Sequence, residues 1–114
     1  RNVTGVQTCA LPIFRVARDH PEIDAACFTS DVLAAGALFQ CRRLGWDVPG
    51  RFAIAGFGDF EIAAAAAPAL TSVSVPRYRI GEESARLILG RIDGEIAPGQ
   101  KVDLGFDVIW REST

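Results

Sequence analysis

The chain has 114 residues, 49% of them hydrophobic and 23% charged, the balance of an ordinary globular chain holding at most one domain. Its net charge of −2 comes from 12 basic and 14 acidic side chains, without the clustered Lys and Arg that track a phosphate backbone, so this segment is not expected to grip DNA itself. Cys9, Cys27 and Cys41 form no C-x-x-C pair and leave an odd number, which argues against a secreted disulfide framework and for a reducing cytoplasm, and no apolar run reaches the roughly 18 to 20 residues that span a bilayer.

The opening Val3-Thr4-Gly5-Val6-Gln7-Thr8-Cys9-Ala10-Leu11-Pro12-Ile13 looks like the conceptual translation of a sequencing adapter, which sets residues 1–13 apart as non-native and leaves 14–114 as the native part. The ordinary reading of the same stretch is a strand over 3–6 and a turn at Pro12. Residues 14–20 read as the tail of a helix that Pro21 stops. Over 23–29 the run Ala25-Ala26-Cys27-Phe28 is short and nearly continuous, as a parallel strand covered on both faces would be. Ser30 and Asp31 are placed to cap the next helix, 32–44, where Leu33, Ala37, Cys41 and Leu44 recur at helical spacing. There Ala34 with Leu38 and Ala35 with Phe39 widen the apolar arc past one stripe, so the helix should have more than one neighbour.

Gly45 ends that helix, Val48-Pro49-Gly50 turns the chain, and 52–57 follow as a second buried strand. Gly58-Asp59 breaks the strand, a short helix runs over 60–67, and Pro68 closes the turn before a third strand at 71–75. Pro76 opens the clearest helix, with Ile80, Ser84, Ile88 and Ile92 at every fourth residue beside Ala85 and Leu89, and Gly94 ends it. A Pro/Gly loop over 96–100 leads to a last extended element at 102–110 and a polar end at 111–114. Strands alternating with helices predict an α/β chain, a parallel sheet flanked by helices with right-handed crossovers, and ligands beyond the carboxyl ends of the strands. Those ends are Ser30-Asp31, Gly58-Asp59 and Pro76-Arg77.

An ordered set of short motifs runs through the same places: Thr29-Ser30-Asp31, Leu33-Ala34-Ala35-Gly36-Ala37-Leu38, Val48-Pro49, Gly56-Phe57-Gly58-Asp59, Pro68-Ala69-Leu70-Thr71, Gly81 and Arg111-Glu112-Ser113-Thr114. Taken together they resemble the C-terminal half of the lactose-repressor (LacI/GalR) family of bacterial transcription regulators. The resemblance implies the C-terminal lobe of a periplasmic-binding-protein-like effector domain, an incomplete fragment, with a small molecule in the cleft between two lobes and a helix-turn-helix headpiece upstream that is absent from this chain. Within that family, Ile54-Ala55-Gly56-Phe57-Gly58-Asp59-Phe60-Glu61-Ile62-Ala63, Val75-Pro76-Arg77 and Val102-Asp103-Leu104-Gly105-Phe106 look most like the gluconate-utilisation repressors.

Four residues are candidates for contact with the effector: Ser30, Asp31, Asp59 and Arg77. Arg77 stands at a strand-to-helix junction, where its planar fork suits a carboxylate and the helix N-terminus adds partial positive charge; its ordinary reading is a solvated first-turn arginine. Gly58 replaces a frequent aspartate of the family, which removes a charge that would repel an acid, so the effector is expected to be a sugar acid such as gluconate. Ser30 can donate and accept one hydrogen bond each, whereas Asp31 and Asp59 are equally well read as carboxylates capping helices. Small side chains over 62–67 and the wide arc of the 32–44 helix fit the family's twofold packing, which makes Val32, Ala35, Leu38, Phe39, Arg42, Ile62, Ala64 and Ala65 the expected homodimer surface.

An enzyme is not expected. Gly56-Phe57-Gly58 begins like a dinucleotide fingerprint, but Glu61 occupies the third glycine position. His20 lacks any metal-ligand spacing, and one histidine with scattered serines assembles no nucleophile, base and orienter, so neither cofactor nor metal is expected. The alternative is a periplasmic sugar-binding protein of a transport system, which shares the two-lobed fold and would carry a signal peptide upstream instead of a headpiece.

Overall fold

A computed structural model describes residues 14–15 and 17–114. The segment read as adapter translation, Cys9 included, lies outside the described residues. Residues 14–15 and 17–19 are helical, ahead of Pro21. Strands β1 (Ala25–Cys27), β2 (Ala53–Phe57), β3 (Thr71–Ser74) and β4 (Asp107–Ile109) form one sheet in the order β1-β2-β3-β4, with helices α1 (Asp31–Leu44), α2 (Glu61–Ala65) and α3 (Arg77–Ile92) between them. The strands β1 and β2 pair in parallel with Ala26 opposite Ile54, and β2 and β3 pair in parallel with Gly56 opposite Ser72. The α/β reading with a parallel sheet therefore describes this chain. The described residues up to Ser74 together with Val108–Thr114 form one compact unit, and Val75–Asp107 form a second.

The core of the first unit lies between α1 and β2. Phe52 and Ile54 point from one pleat face into Ala34, Ala37, Leu38 and Cys41, all buried, while Ala53 and Ala55 on the other face are half-buried. Complete burial of side chains such as Phe52 and Ile54 stabilises the fold by about 1.5–3 kcal/mol each. Phe14, Trp46 and Phe52 extend this core as an aromatic cluster with ring centroids 5.5–6.2 Å apart, and Arg51 lies over the Trp46 ring at 4.8 Å.

Helix α1 begins and ends as its sequence dictates. Ser30 is the N-cap in extended conformation, its Oγ accepting from the Val32 N–H at 3.3 Å, and Asp31 is the first helical residue. At the other end Gly45 adopts φ +68, a left-handed conformation that leads the Trp46 N–H back to the Cys41 carbonyl at 2.9 Å. Arg42 and Arg43 occupy the last turn, where cations suit the helix dipole.

Two expectations need correction. Strand β1 is not covered on both faces: it is the edge of the sheet, with Ala25 and Cys27 exposed and only Ala26 half-buried. The last extended element is three residues long, because Asp103 Oδ1 accepts from the Gly105 N–H at 2.8 Å and Gly105 turns at φ +71 before the strand starts.

In the second unit α3 follows Pro76, and the chain after it folds back so that the Glu95 and Ile96 N–H groups both donate to the Gly90 carbonyl, at 2.9 and 3.0 Å. Gly90 is the buried residue of this helix, and Ile96 fills the space where its side chain would be. Tyr78, Ile88, Leu89 and Ile92 are exposed. No described helix is long and apolar enough to cross a membrane.

The cysteines give a direct check of this packing. Cys41 is enclosed in the core and burial pushes its thiol up to about 11, whereas Cys27 is exposed on the edge strand. Alkylation with iodoacetamide at pH 8 followed by peptide mass mapping should modify Cys27 in the native chain and reach Cys41 only after denaturant is added.

Candidate functional site

Three elements meet at the carboxylate of Asp31. This side chain is fully enclosed, with Oδ2 accepting from the Phe60 N–H at 2.7 Å and Oδ1 accepting from the Ser72 hydroxyl at 2.6 Å. The Ser72 Oγ in turn accepts from the Asp59 N–H at 3.1 Å. The start of α1, the end of β2 and the body of β3 are thereby tied through one carboxylate and one hydroxyl. Hydrogen bonds to a charged acceptor contribute about 1.5–3 kcal/mol each, and loss of either would leave an unsatisfied group inside. Gly56 makes the approach possible, since a Cβ there would run into Asp31 Oδ1 and come within 3.2 Å of the Asp31 Cα.

The turn after β2 is held from every side. Its three successive N–H groups donate to the Val73 carbonyl (from Gly58, 2.8 Å), to Ser72 Oγ (from Asp59) and to Asp31 Oδ2 (from Phe60). Asp59 has φ +49, in the left-handed region that non-glycine residues seldom enter. Gly58, at φ +115, could bear no side chain without meeting the Phe60 ring. The Asp59 carboxylate forms an ion pair with Arg111, Oδ1 to Nη2 2.7 Å, in which both side chains are largely buried.

Arg111 belongs to a segment that stitches β2 to β3. Its Nη1 donates to the Leu70 carbonyl at 2.8 Å and its backbone N–H to Thr71 Oγ1 at 2.9 Å. Ser113, fully buried, donates from Oγ to the Ile54 carbonyl at 2.6 Å and accepts there from the Thr71 N–H at 2.9 Å, while its own N–H donates to the Ala69 carbonyl at 3.0 Å. Glu112 Oε2 accepts from the Ala69 N–H at 3.0 Å, and the Thr71 and Thr114 hydroxyls lie 2.6 Å apart. Sequence reasoning read this segment as a polar end, gave Arg111 and Ser113 only as part of a family motif without assigning them a role, and did not single out Ser72. The one available signal was the Arg-x-Ser spacing, which carries no indication of what it touches some 40 residues away.

The four candidates are thus placed as follows. Ser30 is half-buried at the cap of α1. Asp31 is enclosed and Asp59 is paired with Arg111, so both act as internal supports of the strand ends. Arg77 is the first residue of α3 in the second unit and is exposed, with no acidic residue in the first turn beside it. Of the expected dimer residues, Val32, Phe39, Arg42, Ile62, Ala64 and Ala65 are exposed, while Ala35 and Leu38 are buried in the chain's own core. Among the described residues no group of three or more His, Cys, Asp or Glu could hold a metal ion.

Over residues 4–114 the chain matches the family described as periplasmic binding protein-like domain. It belongs to that family, in the branch formed by the effector domains of LacI/GalR-type transcriptional regulators. The HTH-type transcriptional regulator GntR of Escherichia coli strain K12 is 45% identical over 89 residues, covering 78% of this chain and 27% of the relative; IdnR of the same strain is 37% identical over 89 residues, with the same coverage. Among solved structures, transcription regulator GntR from Chromobacterium violaceum superposes with a TM-score of 0.79 at 40% identity, over 98% of this chain and 41% of that one. The complex of transcriptional regulator CelR with cellobiose superposes with a TM-score of 0.85 at 31% identity, over 96% of this chain and 33% of that one. These relatives are regulators and not enzymes, and the chain spans about a quarter of the length of the curated ones (27%).

The Asp31 knot has a sharp steric requirement. Gly56→Ala should force α1 away from β2 or break the Asp31–Ser72 bond, lowering stability by about 1–3 kcal/mol in urea denaturation.

Proposed function

We propose that this chain is the C-terminal lobe of the effector-binding domain of a DNA-binding transcriptional repressor that senses a sugar acid such as gluconate in the cytoplasm. On this reading, operator DNA is held by a headpiece outside this chain, and the effector acts by binding the DNA-competent and incompetent arrangements with different affinities. The observation that carries the anionic effector is Arg77, an exposed guanidinium opening a helix of 16 residues whose first turn has no acid. The helix dipole and the guanidinium fork both favour a carboxylate there. The Ser30 hydroxyl, which accepts from Val32, keeps its hydrogen to donate to an effector oxygen. Similarity to GntR and IdnR supports a regulator of this kind, and CelR in complex with cellobiose supports a carbohydrate-like ligand.

The same reading includes a homodimer. Helices α1 and α2 leave Val32, Phe39 and Ile62 at 56%, 63% and 37% exposure beside the small Ala64 and Ala65 and the cationic Arg42, with Ala35 and Leu38 supporting them from beneath. An apolar face of this breadth is what an isologous twofold contact covers.

Calorimetric titration of the full-length regulator with gluconate tests the effector assignment. Arg77→Ala should weaken binding by about 2–3 kcal/mol, roughly 30- to 150-fold, and unchanged affinity would remove Arg77 from the site. For the dimer, Phe39→Glu combined with Ala64→Glu should yield monomers in sedimentation velocity; a persistent dimer places the interface elsewhere.

A further inference from the structure

We propose that Arg111 is a positioning residue of the effector site, one that makes the β2 strand end acceptable to an anion by masking the carboxylate of Asp59. The inference rests on the sugar-acid reading above. Ligands of parallel sheets sit beyond the carboxyl ends of the strands, and the turn of Gly58, Asp59 and Phe60 is that end for β2. All three of its N–H groups are committed to Val73, Ser72 and Asp31, so the turn itself offers an anion no compensating donors. Apart from the fully enclosed Asp31, the formal charge at the turn is the Asp59 carboxylate, whose residue has a left-handed backbone at φ +49 and whose side chain keeps 24% of its surface exposed, and a backbone conformation of this kind persists only where its surroundings enforce it.

Arg111 neutralises that charge from a fixed position. Its guanidinium is anchored by the Leu70 carbonyl and its backbone by Thr71, contacts that do not depend on Asp59. The two side chains are 19% and 24% exposed, so solvent screens the pair less than a surface ion pair. A bare carboxylate at this strand end would repel an acidic effector by an amount on the order of tenfold in affinity.

Charge masking by Arg111 and a purely packing role lead to opposite results for the second substitution. In the full-length protein, titrated with gluconate and checked for folding by thermal denaturation, Arg111→Gln should weaken binding about tenfold, and adding Asp59→Asn should restore it to within about threefold of wild type. Asp59→Asn alone should bind at least as tightly as wild type, and it serves as the decisive variant if Arg111→Gln does not fold. Arg111→Lys, which keeps the charge, should retain most of the affinity. Weaker binding by Asp59→Asn, a double variant no better than Arg111→Gln, or Arg111→Lys as weak as Arg111→Gln overturns the masking role while leaving the sugar-acid reading standing. A wild-type protein that ignores gluconate overturns both.

Discussion

A carboxylate shut away from solvent is tolerable only when its lone pairs are taken, and in this chain the taking of Asp31's lone pairs organises the strand ends. Its two oxygens receive a backbone donor from the turn after β2 and a hydroxyl from β3, so the first residue of α1 cannot move without disturbing both. Gly56 is the permissive element, since any larger residue would occupy the volume the carboxylate needs. Among the described residues no buried side-chain nitrogen or oxygen is left without a partner, and the Asp31 knot shows why: each acceptor is matched to a donor brought by a different element.

Much of the architecture was legible because it is written in short-range signals. The alternation of compact apolar runs with helical periodicity located all four strands and the helices between them, and Gly45 was readable as a terminator because few other residues take φ +68. What escaped was everything decided by distant partners. The apolar run over Ala25-Ala26-Cys27 carries no mark of being at an edge, since edge and interior strands differ in neighbours and not in local pattern. Ala35 and Leu38 sit on the same broad apolar arc as Val32 and Phe39, and periodicity alone cannot say which side of that arc meets the chain's own sheet.

The acidic candidates illustrate the same limit in the site. An aspartate before a helix looks alike whether it caps the helix, holds a ligand or braces a neighbouring strand. For Asp31 the partners are Phe60 and Ser72, 29 and 41 residues away, and for Asp59 the partner is Arg111, 52 residues away. In each case the supporting role emerges only when the chain is folded. Arg77 differs in kind: its place at the start of a helix, with no acid in the first turn, is a local feature that can be read from the sequence without any distant partner.

The stitching of β2 to β3 by residues 111–114 also has a temporal side. Thr71 finds its hydroxyl and backbone partners 40 to 43 residues further along, and Ile54 finds Ser113 after 59. At a synthesis rate of about 5–20 residues per second, the parallel pair therefore waits for some seconds on the ribosome before its fastening arrives. During that interval the Ile54 carbonyl and the Thr71 N–H have only water as a partner, so this part of the sheet closes when Ser113 arrives to replace it.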